Sequence, residues 1–463
     1  MPVVQDIRNT RFQCVGAAGA FLFDFPSHEG DYADGGPSGC GVSISGGLKM
    51  VEQSGDGLSG DRAKIAGMSL TELKDQYRAD LHVDYVAFWK AHGVDMDVGG
   101  FMCEMDHDGT LVTTNKSMWY QGRGLWTHTF LYNNFGDEWH LEASRKAVGF
   151  MLKFGRDDNG DWVHGLDAQG NVISPPDGIG YTGLFVAEGL MEYARATGES
   201  EPMDLAVESF WRACEIYDDQ SRQSPQGYVP NSYPGMRLQG FEMVTVVLLS
   251  QLVQEVEDPK LQSRLSQAVE VVLEKFWNPE YSLNNEILYH SYDRPHDENE
   301  DFIYLGHAIE TMWMLLHEAI RAQDQSLFNL AADRLRRHME VAWDDVYGGF
   351  FRAMHVNGAL TYDKVLWLQE EVLIGTMILM EHTDWAWPVE WFNRTFHYVQ
   401  EKFPLKKYGY ALWQMGGDRK VSYQPHTSRK GNYHHPRHLM HNLLAIDRMI
   451  ERNGKPSDLW GSR

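Results

Sequence analysis

The chain has 463 residues, 43% of them hydrophobic, 12% aromatic and 23% charged, which is enough apolar material for a large core without disulfide or metal staples. Its 65 acidic residues outnumber 41 basic ones, for a formal net charge of −24. Such a field repels phosphate backbones and anionic headgroups, so nucleic-acid and membrane-surface binding are not expected. Chemistry on sugars or other uncharged small molecules stays open, with 15 Trp and 21 Tyr to wall a pocket.

Cys14, Cys40, Cys103 and Cys214 are spread widely and form no CxxC pair, which reads as free thiols in a reducing compartment. No apolar run reaches the roughly 18 residues a membrane span requires. The N-terminal sequence also lacks the charged, apolar, then small layout of a signal peptide, so a cytoplasmic protein is expected. Residues 1–66 read as an extension rich in Gly, Ser and Asp. Its GGPSGCG at 35–41 resembles a phosphate loop only superficially, since no GK[ST] follows.

From about Leu70 onward apolar residues recur at three- and four-residue spacing, the mark of amphipathic helices. The segments are 69–93, 116–134, 137–154, 179–197, 201–218, 237–255, 258–276, 303–322, 326–342, 363–383, 387–402 and 435–452. Six helix pairs joined by Gly-, Asp- and aromatic-bearing loops make one catalytic domain over 67–463. An internal repeat runs through it. Gly99, Gly100, Phe101, Met105, Gly109, Lys116, Trp119 and Gln121 are matched by Gly348, Gly349, Phe350, Met354, Gly358, Lys364, Trp367 and Gln369, with a weaker copy at 160–171. Each copy reads as a strand, an Asp-Gly or Asn-Gly turn, a strand and a helix. Repetition half a chain apart predicts a ring. The expected fold is an all-α (α/α)6 barrel, its inner helices the aromatic-rich alternate ones and its hairpins crowding one mouth.

Three clusters can carry chemistry. LGHAIETMWMLLHEAIR sets His307, Glu310, Trp313 and Met314 on one helical stripe, with Glu310 one turn from His307 and able to orient it. KGNYHHPRHLMHNLLAI gathers His434, His435, Arg437, His438 and His441 around Pro436 at the entrance of the last helix. His438 and His441 read as surface or capping residues, and with no HExxH motif or Cys/His set no metal site is expected. NKSMWYQGRGLWTHTFLYN places Arg123 in an apolar, aromatic helix, where its cation needs a ligand oxygen or a carboxylate such as Glu188 or Glu371.

QGRGLW, GHAIETMW, KVLWLQEE and YHHPR, in this order and with the YGGF turn at 347–350, resemble the N-acylglucosamine 2-epimerase family, which includes cellobiose 2-epimerases and related aldose–ketose isomerases. The resemblance spans about Asp97 to Ile446 and implies the same (α/α)6 barrel. It implies that His307 and His434 are the acid–base pair, that Arg123 holds a sugar oxygen, and that Glu310 and Glu371 support the site. Trp119, Gln121, Trp126, Glu242, Trp313, Trp367, Glu371, Trp413 and Arg437 are the expected substrate-binding residues. His434 rather than His435 matches the family's FHxPR histidine. In place of the HxHxxE segment of cellobiose epimerases this chain has Arg237-Leu238-Gln239-Gly240-Phe241-Glu242, which keeps the glutamate alone.

The expected activity is C2 epimerisation of an aldose of the N-acylglucosamine/N-acylmannosamine type, with two histidines moving a proton through an enediolate and no cofactor. The alternatives are an aldose–ketose isomerase on the same site, a glycoside hydrolase using carboxylates among Asp177, Glu242, Glu310 and Glu371, and a non-catalytic binding protein. The expected partner is a small sugar, with room for a homodimer.

Overall fold

The computed structural model describes residues 64–222, 226–411, 413 and 431–461, so residues 1–63 of the expected extension, with its 35–41 loop, Cys14 and Cys40, lie outside the described residues. Among the described residues twelve α-helices follow one another: α1 (Leu70–Arg78), α2 (Met118–Phe135), α3 (Glu138–Phe154), α4 (Tyr181–Thr197), α5 (Ser200–Asp218) and α6 (Gln239–Glu255), then α7 (Pro259–Glu270), α8 (Leu305–Ala322), α9 (Gln325–Ala342), α10 (Leu366–His382), α11 (Trp387–Lys402) and α12 (His434–Glu451). The segment expected as one long first helix is α1 continued by two π-helical stretches, Ala79–Val86 and Trp89–Gly93. The even-numbered helices form an inner ring, in which α2 packs on α4, α6 on α8, α8 on α10 and α10 on α12, with α4–α6 and α12–α2 contacts completing it. Each odd helix backs an even one, and α1 closes the ring by packing on α12. This is the (α/α)6 barrel.

Burial separates the two rings. Helices α4, α6, α8 and α10 are buried almost all round, whereas α1, α3, α5, α7 and α9 bury one stripe and keep a polar face. Four outer helices begin with a side-chain cap in solvent, from Ser69, Asp137, Asp258 and Asp324. The inner helices begin instead where short strands end. β1 (Glu104–Met105) pairs with β2 (Leu111–Thr113), and β3 (Lys116–Ser117), β4 (Gly165–Leu166) and β5 (Val172–Ser174) form a three-stranded sheet. β6 (Arg237–Leu238), β7 (Trp277–Asn278), β8 (Leu283–Asn284) and β9 (Ile287–Leu288) pair as β6–β9 and β7–β8. β10 (Phe302–Ile303), β11 (Ala353–His355) and β12 (Leu360–Thr361) make the last sheet. Since β3, β6 and β10 run directly into α2, α6 and α8, these hairpins crowd the mouth where the inner helices start.

The repeat is a pair of identical clamps. Lys116 Nζ donates to Asp95 Oδ2 (2.7 Å) and Gly99 O (2.6 Å), while Gln121 accepts from Phe101 N (2.7 Å) and donates to Phe101 O (2.9 Å). In the second copy Lys364 holds Asp344 and Gly348 O (2.7 Å), and Gln369 takes Phe350 N (2.9 Å) and O (3.1 Å). The glycine pairs have φ of 100° and 95°, and of 75° and 81°, a region that favours glycine. Each clamp fixes a hairpin to the start of an inner helix and so presents a tryptophan, Trp119 or Trp367, at the mouth.

Candidate active site

The first turns of the inner helices enclose a cavity of about 670 Å³. Trp119 and Arg123 come from α2, Tyr181 and Phe185 from α4, Met243 and Val244 from α6, His307 and Glu310 from α8, Trp367 from α10 and His434 from α12. Tyr228, Tyr304, Pro175 and Pro176 complete the wall from loops. The N-termini of the inner helices converge here, and their aligned peptide dipoles favour negative charge. Trp367 stands between the two histidines, its ring 6.1 Å from that of His307 and 5.2 Å from that of His434. Gly306 makes room for it, because a Cβ there would lie 2.3 Å from Trp367 Cη2.

Each histidine carries a carboxylate on Nδ1, which fixes that nitrogen as the donor and leaves Nε2 to meet a substrate. His307 Nδ1 donates to Glu286 Oε1 at 2.9 Å, and Tyr228 Oη donates to the same oxygen at 3.1 Å. His434 Nδ1 donates to Glu371 Oε1 at 2.8 Å. Glu371 also accepts from Arg437 (2.7 Å) and from Trp313 Nε1 (2.6 Å), and Arg437 reaches across to Glu310.

The two environments separate the histidines electrostatically. Burial disfavours the cation at both. At His307 the charge of Glu286 and its hydrogen bond, helped by Glu310, outweigh burial and raise the pKa above the ordinary histidine value. At His434 burial prevails, Arg437 and Arg123 oppose the pull of Glu310, and the pKa falls well below that value. Of the two, His307 is thus the better holder of a proton and His434 the better acceptor of one from a substrate.

Arg123 has no carboxylate partner among the described residues. Its guanidinium lies over the rings of Trp119 (4.3 Å), Phe185 (4.0 Å) and Tyr433 (4.6 Å), and its buried Nε has no hydrogen-bond partner. The two carboxylates considered for it are engaged elsewhere. Glu188 accepts from Tyr433 Oη at 2.9 and 2.8 Å, and Glu371 is held by Arg437 and His434.

Several expected site residues lie outside this cavity. Gln121 spends its amide on Phe101, Glu242 pairs with Arg264 (2.7 Å), and Trp413 packs on His435 with rings 4.4 Å apart. Trp126, Trp313 and Arg437 line a second cavity, of about 520 Å³, further down the barrel. Glu371 and Arg437 do not border the upper cavity but brace His434 from behind. Glu310 does border it, yet the orientation of His307 falls to Glu286. His438 and His441 are neither surface nor capping residues: His438 Nε2 meets Tyr77 Oη at 2.9 Å, and His441 stacks on Trp126. Helix α6 contributes Met243 and Val244 and no base to the cavity wall, and at Gly240 a Cβ would lie 2.5 Å from Tyr181 Oη and 2.8 Å from His307 Nδ1. Sequence reasoning missed Glu286, which sits between β8 and β9; the only signal was an acid flanked by asparagines and apolar residues.

A family model for N-acylglucosamine 2-epimerase (GlcNAc 2-epimerase) matches residues 99–437, well over half of the chain. The chain belongs to the N-acylglucosamine 2-epimerase family. Among its relatives is the N-acylglucosamine 2-epimerase of Bos taurus, 23% identical over 403 residues that cover 81% of this chain and 93% of the relative. Cellobiose 2-epimerase from Bacillus thermoamylovorans B4167 superposes with a TM-score of 0.70 at 17% identity, covering 81% of this chain and 99% of that one. A D-mannose isomerase superposes with a TM-score of 0.68 at 15% identity, covering 82% and 98%. As a member of the epimerase family the protein is an isomerase of carbohydrates. Among the described residues no helix is long and apolar enough to cross a membrane.

Proposed function

We propose that the protein interconverts the C2 epimers of an aldose of the N-acylglucosamine/N-acylmannosamine type, using His307 and His434 as its two proton carriers and Arg123 as the group that holds the developing oxyanion. The observation that supports this reading is the pair of histidines at one cavity, each with a carboxylate on Nδ1 and with pKa values pushed to opposite sides of the ordinary one. Neutral His434 removes the proton at C2 of the open-chain sugar, and the C–H electron pair moves into the C1–C2 bond as the C1 oxygen gains negative charge. The enolate collapses as protonated His307 delivers its proton to the other face of C2. The net change is inversion, with the proton count of the pair unchanged. In the opposite direction the two histidines exchange roles.

Arg123 is suited to the oxyanion because its guanidinium is stacked rather than salt-bridged, so its charge is not already neutralised. Positioned proton transfer contributes about 10²–10⁴ in rate. Trp119 and Trp367 offer flat faces to sugar C–H bonds. The carboxylates that a hydrolase would need are committed. Asp177 caps the start of α4 through the backbone N–H groups of Ile179 (3.0 Å) and Thr182 (2.9 Å), Glu242 is bound to Arg264, and Glu371 is held by Arg437.

A second reading, aldose–ketose isomerisation, uses the same histidines and is favoured only by the likeness to the mannose isomerase. NMR time courses with a panel of sugars in D₂O separate the two. Solvent deuterium at C2 of an aldose product supports epimerisation, and a ketose product assigns the isomerase. Absence of any C2 exchange with N-acylated, neutral and disaccharide aldoses would remove the proposal.

A further inference from the structure

The other side of α12 carries a second histidine–glutamate group that the proton-transfer chemistry does not use. Glu370 and Glu371 are neighbours on α10 but serve different partners, Glu371 reaching His434 and Glu370 reaching His435 and His438. Glu370, His435 and His438 are 0%, 3% and 2% exposed. Each can present a ligand atom such that all three atoms lie within 4.8 Å of one another. His435 Nδ1 meets Glu370 Oε1 directly, and His438 Nδ1 stands 3.5 Å from the same oxygen.

The hydrogen bonds among the described residues leave this group incomplete. Among them, Glu370 Oε2, His435 Nε2 and His438 Nδ1 are buried without hydrogen-bond partners, as is the hydroxyl of Tyr85, whose ring lies 6.0 Å from that of His435. His438 is oriented from behind: its Nε2 meets Tyr77 Oη (2.9 Å), which accepts from Asn442 Nδ2 (2.9 Å). A ring held at one nitrogen with the other turned toward a carboxylate is the outer support typical of metal-binding histidines.

We propose that Glu370, His435 and His438 form a site for one divalent transition-metal ion of the zinc class. Two imidazoles and a carboxylate are a donor set that zinc accepts, with a remaining position for water. Because the ligands come from α10 and α12, the ion joins two neighbouring inner helices, and its role is to hold the ring together rather than to act on the sugar.

The test uses the full chain, stripped by chelator under mild denaturant, refolded, incubated with Zn²⁺ and dialysed, with metal content and thermal melting as readouts. The expected result is one zinc per chain and a higher melting temperature than the stripped protein. Glu370→Gln and His438→Gln should each weaken zinc binding by about 100-fold or more, and Tyr77→Phe by about 10-fold, while His434→Asn keeps the ion. If Glu370→Gln does not fold, His438→Gln and Tyr77→Phe, checked by circular dichroism, decide the matter. A folded wild-type chain that takes up no zinc overturns the proposal. So does a folded His438→Gln that still binds it, or loss of zinc from His434→Asn alone, which would move the ion to the Glu310, Glu371 and His434 group.

Discussion

His307 and His434 face the same cavity with the same equipment, a carboxylate on Nδ1 and a tryptophan beside the ring, yet their pKa values are pushed to opposite sides of the ordinary histidine value. The difference lies behind the carboxylates. Among the described residues the carboxylate of Glu286 accepts from Tyr228 and His307 and from no arginine or lysine, so its charge acts on His307. Glu371 is shared with Arg437, whose cation cancels much of what the carboxylate would do for His434. At His434 burial is therefore left to prevail, with Arg437 and Arg123 adding to it, whereas at His307 the carboxylates outweigh burial. Two chemically identical side chains are thus separated by their surroundings.

The most severe way to break this pairing is to remove one member. His307→Asn and His434→Asn should each lower kcat for epimerisation by about 10³-fold, within the range that positioned proton transfer supplies. In D₂O each variant should retain C2 exchange with one epimer only, and with opposite epimers in the two variants. Near-normal turnover in either would show that the pair does not share the work.

Arg123→Lys keeps a charge above the pair but loses the planar fork. Catalytic efficiency should fall by about 10²-fold, equivalent to ~2.7 kcal/mol at 1.36 kcal/mol per decade. The melting temperature should move by only a few degrees, because no ion pair is broken. A large drop in melting temperature with efficiency preserved would make the stacked guanidinium a packing element.

Glu286→Gln sharpens the comparison directly. The active form needs His434 neutral and His307 protonated, so kcat/KM falls as pH drops through the lowered His434 pKa and falls again as pH rises through the raised His307 pKa. Removing the Glu286 charge lowers the latter. The alkaline limb should then move to lower pH while the acid limb stays, with a loss of about 10-fold at neutral pH. A pH profile with both limbs unmoved would show that Glu286 does not set the state of His307.

The smallest effect is expected at His435, next to His434 but turned toward Glu370 and Trp413. His435→Ala should cost less than about 10-fold in kcat, with its main effect on stability. Rate constants for the two neighbouring variants with one sugar check this, and equal losses would assign the base to the wrong histidine.

The ring was legible in the sequence because a hairpin leading into a helix recurs half a chain apart, and because twelve periodic segments, found within a few residues of their ends, make six pairs. The repeat pointed to the correct hairpins, but it carried two messages that spacing cannot separate. Lys116, Gln121, Lys364 and Gln369 are there for the backbone, and only Trp119 and Trp367 of the repeated set face the cavity. Depth was the other blind spot. Arg123 and Trp126 are one turn apart on α2, as are Glu310 and Trp313 on α8, so each pair shares a helix face while its two members border different cavities. Helical periodicity gives the face and not the height. Glu286 was hidden for a third reason, since a carboxylate in an irregular link is brought to His307 by tertiary structure alone.

The closure of the ring by α1 against α12 has a bearing on biosynthesis. The two helices meet through Tyr77 and His438, which are 361 positions apart, and α12 also carries His434. Contacts between such distant parts of a chain form late and slowly. A ribosome that has made the first eleven helices has made most of the cavity wall, but neither the base nor the helix that seals the circle. With His434 as the proposed base, turnover is expected only after α12 has left the exit tunnel and docked, and a chain stopped before α12 should be inactive rather than weakly active.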